Sequence, residues 1–211
     1  MLYLRSIGRF ILISLALLGL SVSSVNASIV ADANTGLVSP DVVVDFGNGL
    51  YPPSTVTVIS NQFSAFGVTF GQGPMYLDCN CVTAALNQGY LNGSNSNGGS
   101  PFDIFFATRA TDAVFSFLTN SGTSTFTSFL NGFQQESFQA ATDAATPIGD
   151  GRYYGFVNSL FDHILVTPGG TNSAYNLDNL QINFVPVPAA VWLFGTALIG
   201  LVGFGRRSKL T

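Results

Sequence analysis

The run from Ala189 to Gly205 constrains this chain more than any other feature, because its 17 residues carry no charge. As an α-helix the run would be roughly 26 Å long, and about 17 to 25 apolar residues are needed to cross a bilayer. It also lacks the polar face of a helix that packs on a soluble core. We predict a transmembrane helix over 189–205. The alternative is a C-terminal helix buried in the globular fold.

Residues at the two ends of this run predict its orientation. Trp192 lies near the start, where an indole ring suits the membrane interface. Arg206, Arg207 and Lys209 follow the run, and basic residues are concentrated on the cytoplasmic side of membrane helices. The preceding part of the chain is therefore predicted to lie outside the cytoplasm, with membrane lipid as a partner of the C-terminal segment.

The N-terminus has the three parts of a secretory signal peptide. Arg5 and Arg9 precede the apolar run 10–20, and small residues then lead to a plausible cleavage site between Ala27 and Ser28. We predict a signal peptide over residues 1–27 and an exported body over 28–185. An uncleaved N-terminal anchor is the alternative, and it exports the same body.

The predicted body is strongly acidic. All 11 acidic residues of the chain lie within 28–185, together with only two basic residues, Arg109 and Arg152, which gives a formal charge of −9. Nucleic-acid binding depends on clustered lysine and arginine side chains. The charge therefore excludes nucleic acid as a partner.

Short apolar runs, separated by Gly, Pro, Asn and Ser, predict an all-β body. With 13% aromatic residues in the chain to fill a core, the pattern favours a single jelly-roll-like β-sandwich, flanked by the N-terminal signal helix and the C-terminal transmembrane helix. The phenylalanines are predicted to form the core. The predicted strands span 41–46, 55–60, 66–70, 102–107, 113–119, 124–130, 153–158, 161–167 and 177–184.

Three stretches depart from a simple strand pattern. Helical periodicity is weakly present over 82–87 and 136–145. In "STFTSFL" the aromatic residues Phe126 and Phe129 break the alternation, which predicts a bulge or burial on both faces. The stretch 87–101, "NQGYLNGSNSNGGSP", is polar and Gly-rich and is predicted to be a mobile loop.

The C-terminal stretch Val185-Pro186-Val187-Pro188, followed by "AAVWLFGTALIGLVGFGRR", resembles a known sorting signal. It is similar to the PEP-CTERM signal of exported proteins of Gram-negative bacteria, in the subgroup with "VPxPAAxWLFG", and here it covers 186–211. The resemblance rests on an ordered proline box, hydrophobic span and basic end, the last carried by Arg206 and Arg207. It implies an exosortase as partner, with sorting from the inner membrane to the cell surface, to the extracellular matrix or into the medium, in a bacterium that makes exopolysaccharide.

The proline box departs from the family pattern at one position. The usual box is Pro-Glu-Pro, and Val187 stands in place of the acidic residue. A carboxylate at this point could pair with a base of the processing enzyme, whereas a valine cannot. The departure puts the efficiency of cleavage, or the identity of the exosortase, in question.

The body resembles the β-sandwich passenger domains of such signals through "VVVDFGN", "FSAFGVTFG" and "YNLDNLQINF". The resemblance implies a structural calcium ion near the chain ends, with Asp45 and Asp178 as candidate ligands. The other interpretation is that Asp178 and Asn179 cap a turn before the last strand. No other cofactor is expected.

Few other residues suggest chemistry. Cys79 and Cys81 are predicted to form a tight local disulfide in an oxidising compartment, the alternatives being a bridge between two molecules or a free pair. His163 is the single histidine, and no nucleophile motif accompanies it. It is predicted to be a structural strand residue at the sheet surface.

The sequence therefore predicts a non-enzymatic surface or matrix protein that is exported, tethered and then sorted. The alternative is a carbohydrate-binding module for the cell's own exopolysaccharide. In that case exposed rings among Tyr51, Tyr76, Tyr90, Tyr153 and Tyr154 would stack on the sugar.

Overall fold

The computed structural model describes residues 28–46, 56–71, 75–78, 89–92, 100–119, 122–143, 152–170, 175–185 and 196. The signal peptide, the proline box from residue 186 onwards, the predicted helix 189–205 apart from Thr196, and both cysteines therefore lie outside the described residues.

The described residues form twelve β-strands and one 3₁₀ turn, Ser64–Phe66. The strands are β1 (Ser28–Ala33), β2 (Val42–Val44), β3 (Val56–Val58), β4 (Val68–Gly71), β5 (Met75–Asp78), β6 (Gly89–Asn92), β7 (Phe102–Thr119), β8 (Thr123–Leu130), β9 (Phe133–Ala141), β10 (Tyr153–Val157), β11 (Phe161–Thr167) and β12 (Tyr175–Phe184).

Strand β7 belongs to both layers of the fold. Its first part pairs with β4 and β11, and β11 continues through β8 to β9; we call these strands the first layer. Its second part pairs with β10 and β12, which carry β1 on one side and β2, β6, β5 and β3 on the other; these form the second layer. All of these pairings are antiparallel, and the two layers are one hydrogen-bonded sheet folded over itself.

The fold in β7 occurs where its burial pattern changes. Ala107, Thr108 and Arg109 are exposed in succession, between the alternating part of the strand and a stretch that is buried on both faces. In the pairing with β11, His163 lies opposite Phe105 of β7, but Phe161, only two residues earlier, lies opposite Ala110. The pairing is therefore strongly irregular at this point. Residues 107–109 are therefore the corner at which the chain passes from one layer to the other.

Aromatic side chains fill the space between the layers. Phe126 of the first layer stacks on Tyr154 of the second with centroids 5.3 Å apart, and it contacts Phe117 edge-on at 5.6 Å. Near the outer edges, Phe138 of β9 meets Phe156 of β10 at 5.3 Å. The prediction of a phenylalanine core is confirmed for Phe46, Phe63, Phe70, Phe102, Phe106, Phe115, Phe117, Phe126, Phe156 and Phe161, all of which are buried.

The prediction of an all-β sandwich is confirmed, and the finer jelly-roll assignment stays a prediction. Strand β11 has its predicted bounds, whereas the predicted strands 102–107 and 113–119 are two parts of β7. The bulge predicted in "STFTSFL" is present between Ser128 and Phe129. Strand β1 was not predicted, because its six residues are mostly exposed and lack an apolar run.

One weak helical signal does not correspond to a helix, and one loop prediction was wrong. The weak helical periodicity over 136–145 falls largely on β9, because pairing with β8 decides the conformation of this segment. The predicted loop 87–101 contains β6, which pairs with both β5 and β12. The second weakly helical stretch, 82–87, lies outside the described residues.

Replacing Gly155 by alanine should destabilise the fold. Gly155 has φ of 154°, and an added Cβ would overlap the carbonyl oxygen of Ala113 and lie 2.8 Å from Cα of Val114. Since both neighbours are backbone of the central strand β7, we expect the free energy of unfolding to fall by about 2 to 4 kcal/mol. Gly132→Ala is the control, because its φ is also positive but no atom lies within 4 Å of the added methyl group. Equal losses in the two variants, measured by denaturant unfolding, would contradict this account.

Alkaline pH should unfold the body through its buried tyrosines. Burial raises the pKa of Tyr175 far above the ordinary value of 10, and its ring stacks on Phe102 and Phe117. The unfolded chain loses this proton from about pH 10 upwards while the folded chain keeps it, so stability is complete below pH 10 and falls above it. We expect Tyr175→Phe to move the alkaline unfolding midpoint upwards, with little change at pH 7. An unchanged midpoint in circular dichroism titrations would show that Tyr175 does not contribute.

Candidate functional site

A groove of about 770 Å³ lies beside the corner of β7, at the end of the sandwich where β12 stops. Its walls come from the corner, the β8–β9 turn, the start of β11 and Val185. The backbone N–H of Val185 donates to the carbonyl oxygen of Arg109 at 3.0 Å, which fixes the last described residue of the body against the corner. The groove thus lies next to the predicted proline box.

Two of the lining rings, Phe105 and His163, belong to a row of three stacked rings on three neighbouring strands. His163 of β11 lies between Phe105 of β7 and Phe129 of β8, at centroid distances of 4.5 and 4.9 Å and interplanar angles near 20°. These distances match the spacing of neighbouring strands, so the rings stand upright on the sheet and cover one another's faces. Gly71 leaves room beside Phe105, because a Cβ there would lie 2.9 Å from its ring.

His163 has a fixed polar partner as well as two aromatic neighbours. Its Nε2 lies 2.8 Å from Oδ1 of Asp103, and both side chains are largely buried. A catalytic dyad would require a nucleophile beside the histidine, and the described contacts of His163 are with a carboxylate and two phenyl rings. The predicted strand position of His163 is therefore confirmed, and its purely structural role stays a prediction.

The groove is also lined by a cation and by a carboxylate that accepts a backbone hydrogen bond. Arg109 is exposed at the corner, and its side chain forms no hydrogen bond or ion pair within the part of the chain that the structure describes. Asp162 accepts a hydrogen bond from the N–H of Asn131 at 2.8 Å, which joins the β8–β9 turn to the start of β11. The groove therefore offers one available guanidinium and a mostly apolar rim.

The second arginine of the body has a structural role. Arg152 donates to Asp32 of β1 at 2.8 Å and to the carbonyl oxygen of Asp143 at 2.8 Å, while the hydroxyl of Tyr154 donates to Ala141 at 2.9 Å. Burial alone would lower the pKa of Arg152, but its interactions with Tyr154 and Asp32 outweigh this effect and raise it. Burial raises the pKa of the Tyr154 hydroxyl. This network ties β1 and β10 of the second layer to β9 of the first.

The predicted calcium ligands lie near each other along neighbouring strands. Val44 pairs with Leu180, so Asp45 continues β2 towards the β12 segment that contains Asp178. Asp178 is buried, and its Oδ1 accepts the N–H of Asn179 at 2.7 Å. Among the described residues, however, no group of three or more His, Cys, Asp or Glu side chains is placed to hold a metal ion. The calcium site stays a prediction.

The alternative placement of Asp178 was wrong. Asp178 and Asn179 do not precede the last strand but lie within β12, where the pairing with β7 shifts register between Asp178 and Gln181. Asn179 has a positive φ of 50°, a conformation that asparagine tolerates better than most residues. The two residues form a bulge in β12. A bulge of this kind is recognised from the pairing with the neighbouring strand, which the sequence alone does not give.

Most other predicted site residues lie outside the described part of the chain. Ser28 is the first residue of β1, and Val185 lines the groove. Outside are Ala27, Cys79, Cys81, Pro186, Val187, Pro188, Arg206 and Arg207. None of the helices within the described ranges is long and apolar enough to span a membrane.

Neither of the two predicted sugar-stacking tyrosines whose side chains the structure describes is exposed. Tyr154 is fully buried, so its assignment as a stacking residue was wrong, and Tyr153 is half-buried. In the ring row, Phe105 and Phe129 cover the two faces of His163. The side chains of Tyr51, Tyr76 and Tyr90 lie outside the described residues.

Comparison with known proteins gives no family. No family model matches the chain, and no curated protein is significantly similar to it. Two solved structures show distant likeness. The Agl-KA catalytic domain is 18% identical with a TM-score of 0.35, over 69% of this chain and 30% of that one. The enzymatically active domain of tailspike protein 4 of bacteriophage CBA120 is 13% identical with a TM-score of 0.36, over 64% and 22%. This chain thus spans less than a third of either, and likeness at this level carries no argument about function.

Removing the central ring of the row should destabilise the first layer. His163→Ala deletes two stacked contacts and leaves the carboxylate of Asp103 without its partner, so we expect the free energy of unfolding to fall by about 2 to 3 kcal/mol. Phe133→Ala is the control, because this ring is exposed and a change within about 0.5 kcal/mol is expected. Chemical denaturation of both variants measures the difference. A His163→Ala variant as stable as the control would show that the row is not a structural element.

Proposed function

We propose that the protein is an exported, non-enzymatic passenger that its C-terminal segment holds in the inner membrane until an exosortase releases it to the cell surface or matrix. The observation that carries the proposal is the order of features after the sandwich. The last strand ends at Phe184, Val185 bonds to the corner of β7, and the proline box, apolar run and basic end follow at once.

The chain leaves the sandwich in a manner that suits processing. Two prolines, Pro186 and Pro188, restrict themselves and the residues before them to extended conformations. Proline also has no N–H to extend the pairing of β12. The sequence therefore predicts an extended, unpaired stretch between the body and the apolar run, which is the kind of substrate that a protease-like enzyme can bind.

The apolar run supplies the tether. It has the length of a spanning helix, and within lipid only a helix would pair all of its backbone groups. Arg206 and Arg207 would act as the cytoplasmic stop, with the acidic body on the other side. Placing the body outside the cytoplasm agrees with the predicted signal peptide, whose cleavage after Ala27 would leave Ser28 as the start of β1.

The body in this proposal is cargo rather than catalyst. Its one histidine is held between two phenyl rings, and one of its two arginines is committed to joining the layers. A jelly-roll-like passenger of this kind would contribute an acidic, soluble surface to the matrix. The carbohydrate-binding alternative would need another set of rings than Tyr154, which is buried in the core.

Mass spectrometry of the mature protein tests the sorting proposal. In a strain with the exosortase we expect a C-terminus within or next to the proline box and loss of the segment 189–211. In an isogenic strain without the enzyme the segment should remain, and the protein should fractionate with the inner membrane. An intact segment in both strains would overturn the proposal.

Two variants separate the signal from the fold. Pro186→Ala combined with Pro188→Ala should slow processing several-fold, because the residues could then extend the strand or the helix. Val187→Glu restores the usual box, and we expect processing at least as fast as in the natural chain. Both changes lie outside the described body, so thermal unfolding of the body should be unaltered. Unchanged processing of the double alanine variant would show that the box is not the recognition element.

A further inference from the structure

Nine large apolar side chains are exposed among the described residues, and four of these lie in or next to the connections around the corner of β7. These four are Phe66 at 40% exposure, Phe133 at 76%, Leu160 at 38% and Val185 at 40%. Single exposed apolar residues are ordinary, but a group of them on one surface marks an interaction site. Their relative positions therefore decide whether they form one interaction surface.

Hydrogen bonds between the loops show that these residues share one end of the sandwich. Ala107 of the corner donates to Gly67, which follows Phe66, at 2.9 Å. Ser159, which precedes Leu160, donates to Thr111 at 3.0 Å. Val185 donates to Arg109, and the β8–β9 turn before Phe133 lines the same groove as Arg109 and Val185. We call Phe66, Arg109, Phe133, Leu160 and Val185 the tail-side end.

The start of the body lies towards this end as well. Ile29 pairs with Phe156, Phe156 with Ala113, and Ala113 with Ile182, so the second residue of β1 is level with the end of β12. With strands about 4.8 Å apart, the three steps across this row amount to roughly 14 Å. The predicted signal peptide and the predicted transmembrane run therefore join the body at the same end of the sandwich.

The short connection to the apolar run limits how far this end can be from lipid. Between Val185 and Ala189 there are four residue steps, which span at most about 14 Å when fully extended. The headgroup layer on each side of a bilayer is about 5 to 8 Å thick. If the run crosses the membrane, the tail-side end is within about 10 Å of the headgroups even with the connection stretched.

We propose that the tail-side end rests on the membrane surface, with Phe66, Phe133, Leu160 and Val185 in the headgroup layer and Arg109 near lipid phosphates. This inference rests on the proposed tether. Apolar and aromatic side chains gain free energy in the interfacial layer, and an arginine stem can lie along the surface while its charge meets phosphate.

The charges of this end predict that apolar contact, rather than attraction to anionic lipid, holds it there. Three carboxylates lie near Arg109, and each accepts a backbone N–H: Asp41 from Phe184, Asp112 from Asn158 and Asp162 from Asn131. These bonds offset part of the negative charge, but a single free guanidinium does not outweigh it. We therefore expect contact with zwitterionic as well as mixed bilayers.

Spin labels on the full chain test the orientation directly. The chain is reconstituted in phosphatidylethanolamine–phosphatidylglycerol nanodiscs with Cys79→Ser and Cys81→Ser, and one label is attached at Phe133→Cys, Leu160→Cys, Gln139→Cys or Thr196→Cys. Gln139 is the matched control, because it is exposed on the same strand as Phe133 but about 20 Å farther from the tail-side end. Relaxation by oxygen and by a water-soluble nickel complex reports the depth of each label.

The four labels distinguish failure of this inference from failure of the tether. We expect an oxygen-to-nickel ratio several-fold higher at 133 and 160 than at 139, and the highest ratio at 196. A lipid-exposed label at 196 with aqueous values at 133 and 160 would overturn the membrane-resting end and leave the tether intact. Protection of 133 and 160 from both reagents would mean that protein covers them, which also overturns it. An aqueous label at 196 would overturn the tether and the inference together.

Discussion

The two layers of this protein depend on the bend in β7. The strand contributes its first part to one layer and its second part to the other, and the three exposed residues of the corner make the change of direction possible. Because one backbone runs through both layers, their relative position is fixed by hydrogen bonds as well as by side-chain packing. The aromatic core then fills the space that this bend defines, with Phe126 in contact with rings from both β7 and β10. The groove exists because the corner, the end of β12 and the start of β11 meet at the same point.

The sequence predicted the class of the fold and most strand positions, but not the way in which the strands share neighbours. Apolar runs such as 161–167 are bounded by turn residues, so their state is evident locally. It was not evident that 102–107 and 113–119 belong to one strand, β7, because Thr108 and Arg109 interrupt the apolar pattern between them. Strand β9 was missed since Gln, Ser and Ala side chains give no strand pattern, and only pairing with β8 makes the segment a strand. The prediction of terminal helices falls on residues outside the described part of the chain.

The groove illustrates the same limit for functional residues. Val185 was predicted from its place before the proline box, but Arg109 and the ring row were not. Phe105 and Phe129 are 24 positions apart in the chain and meet His163 only because their strands flank β11. Exposure of Phe66 and Phe133 likewise has no signature in a chain whose phenylalanines are mostly buried. One signal for Arg109 was present in the sequence, because it is one of only two basic residues in an acidic body.

The position of β12 has a consequence for the order of assembly. This last strand is not at an edge but between β7 on one side and β2 and β6 on the other, and the bond from Arg152 to Asp32 joins residues 120 positions apart. Pairings so distant along the chain form slowly, and none of these can form until nearly the whole body has been synthesised. If the chain is exported as proposed, it would therefore stay unfolded while it passes through a translocation channel. It would complete its sheet only when the apolar run has reached the channel and halted transfer. Maturation of the cargo and arrest at the membrane would then coincide in time.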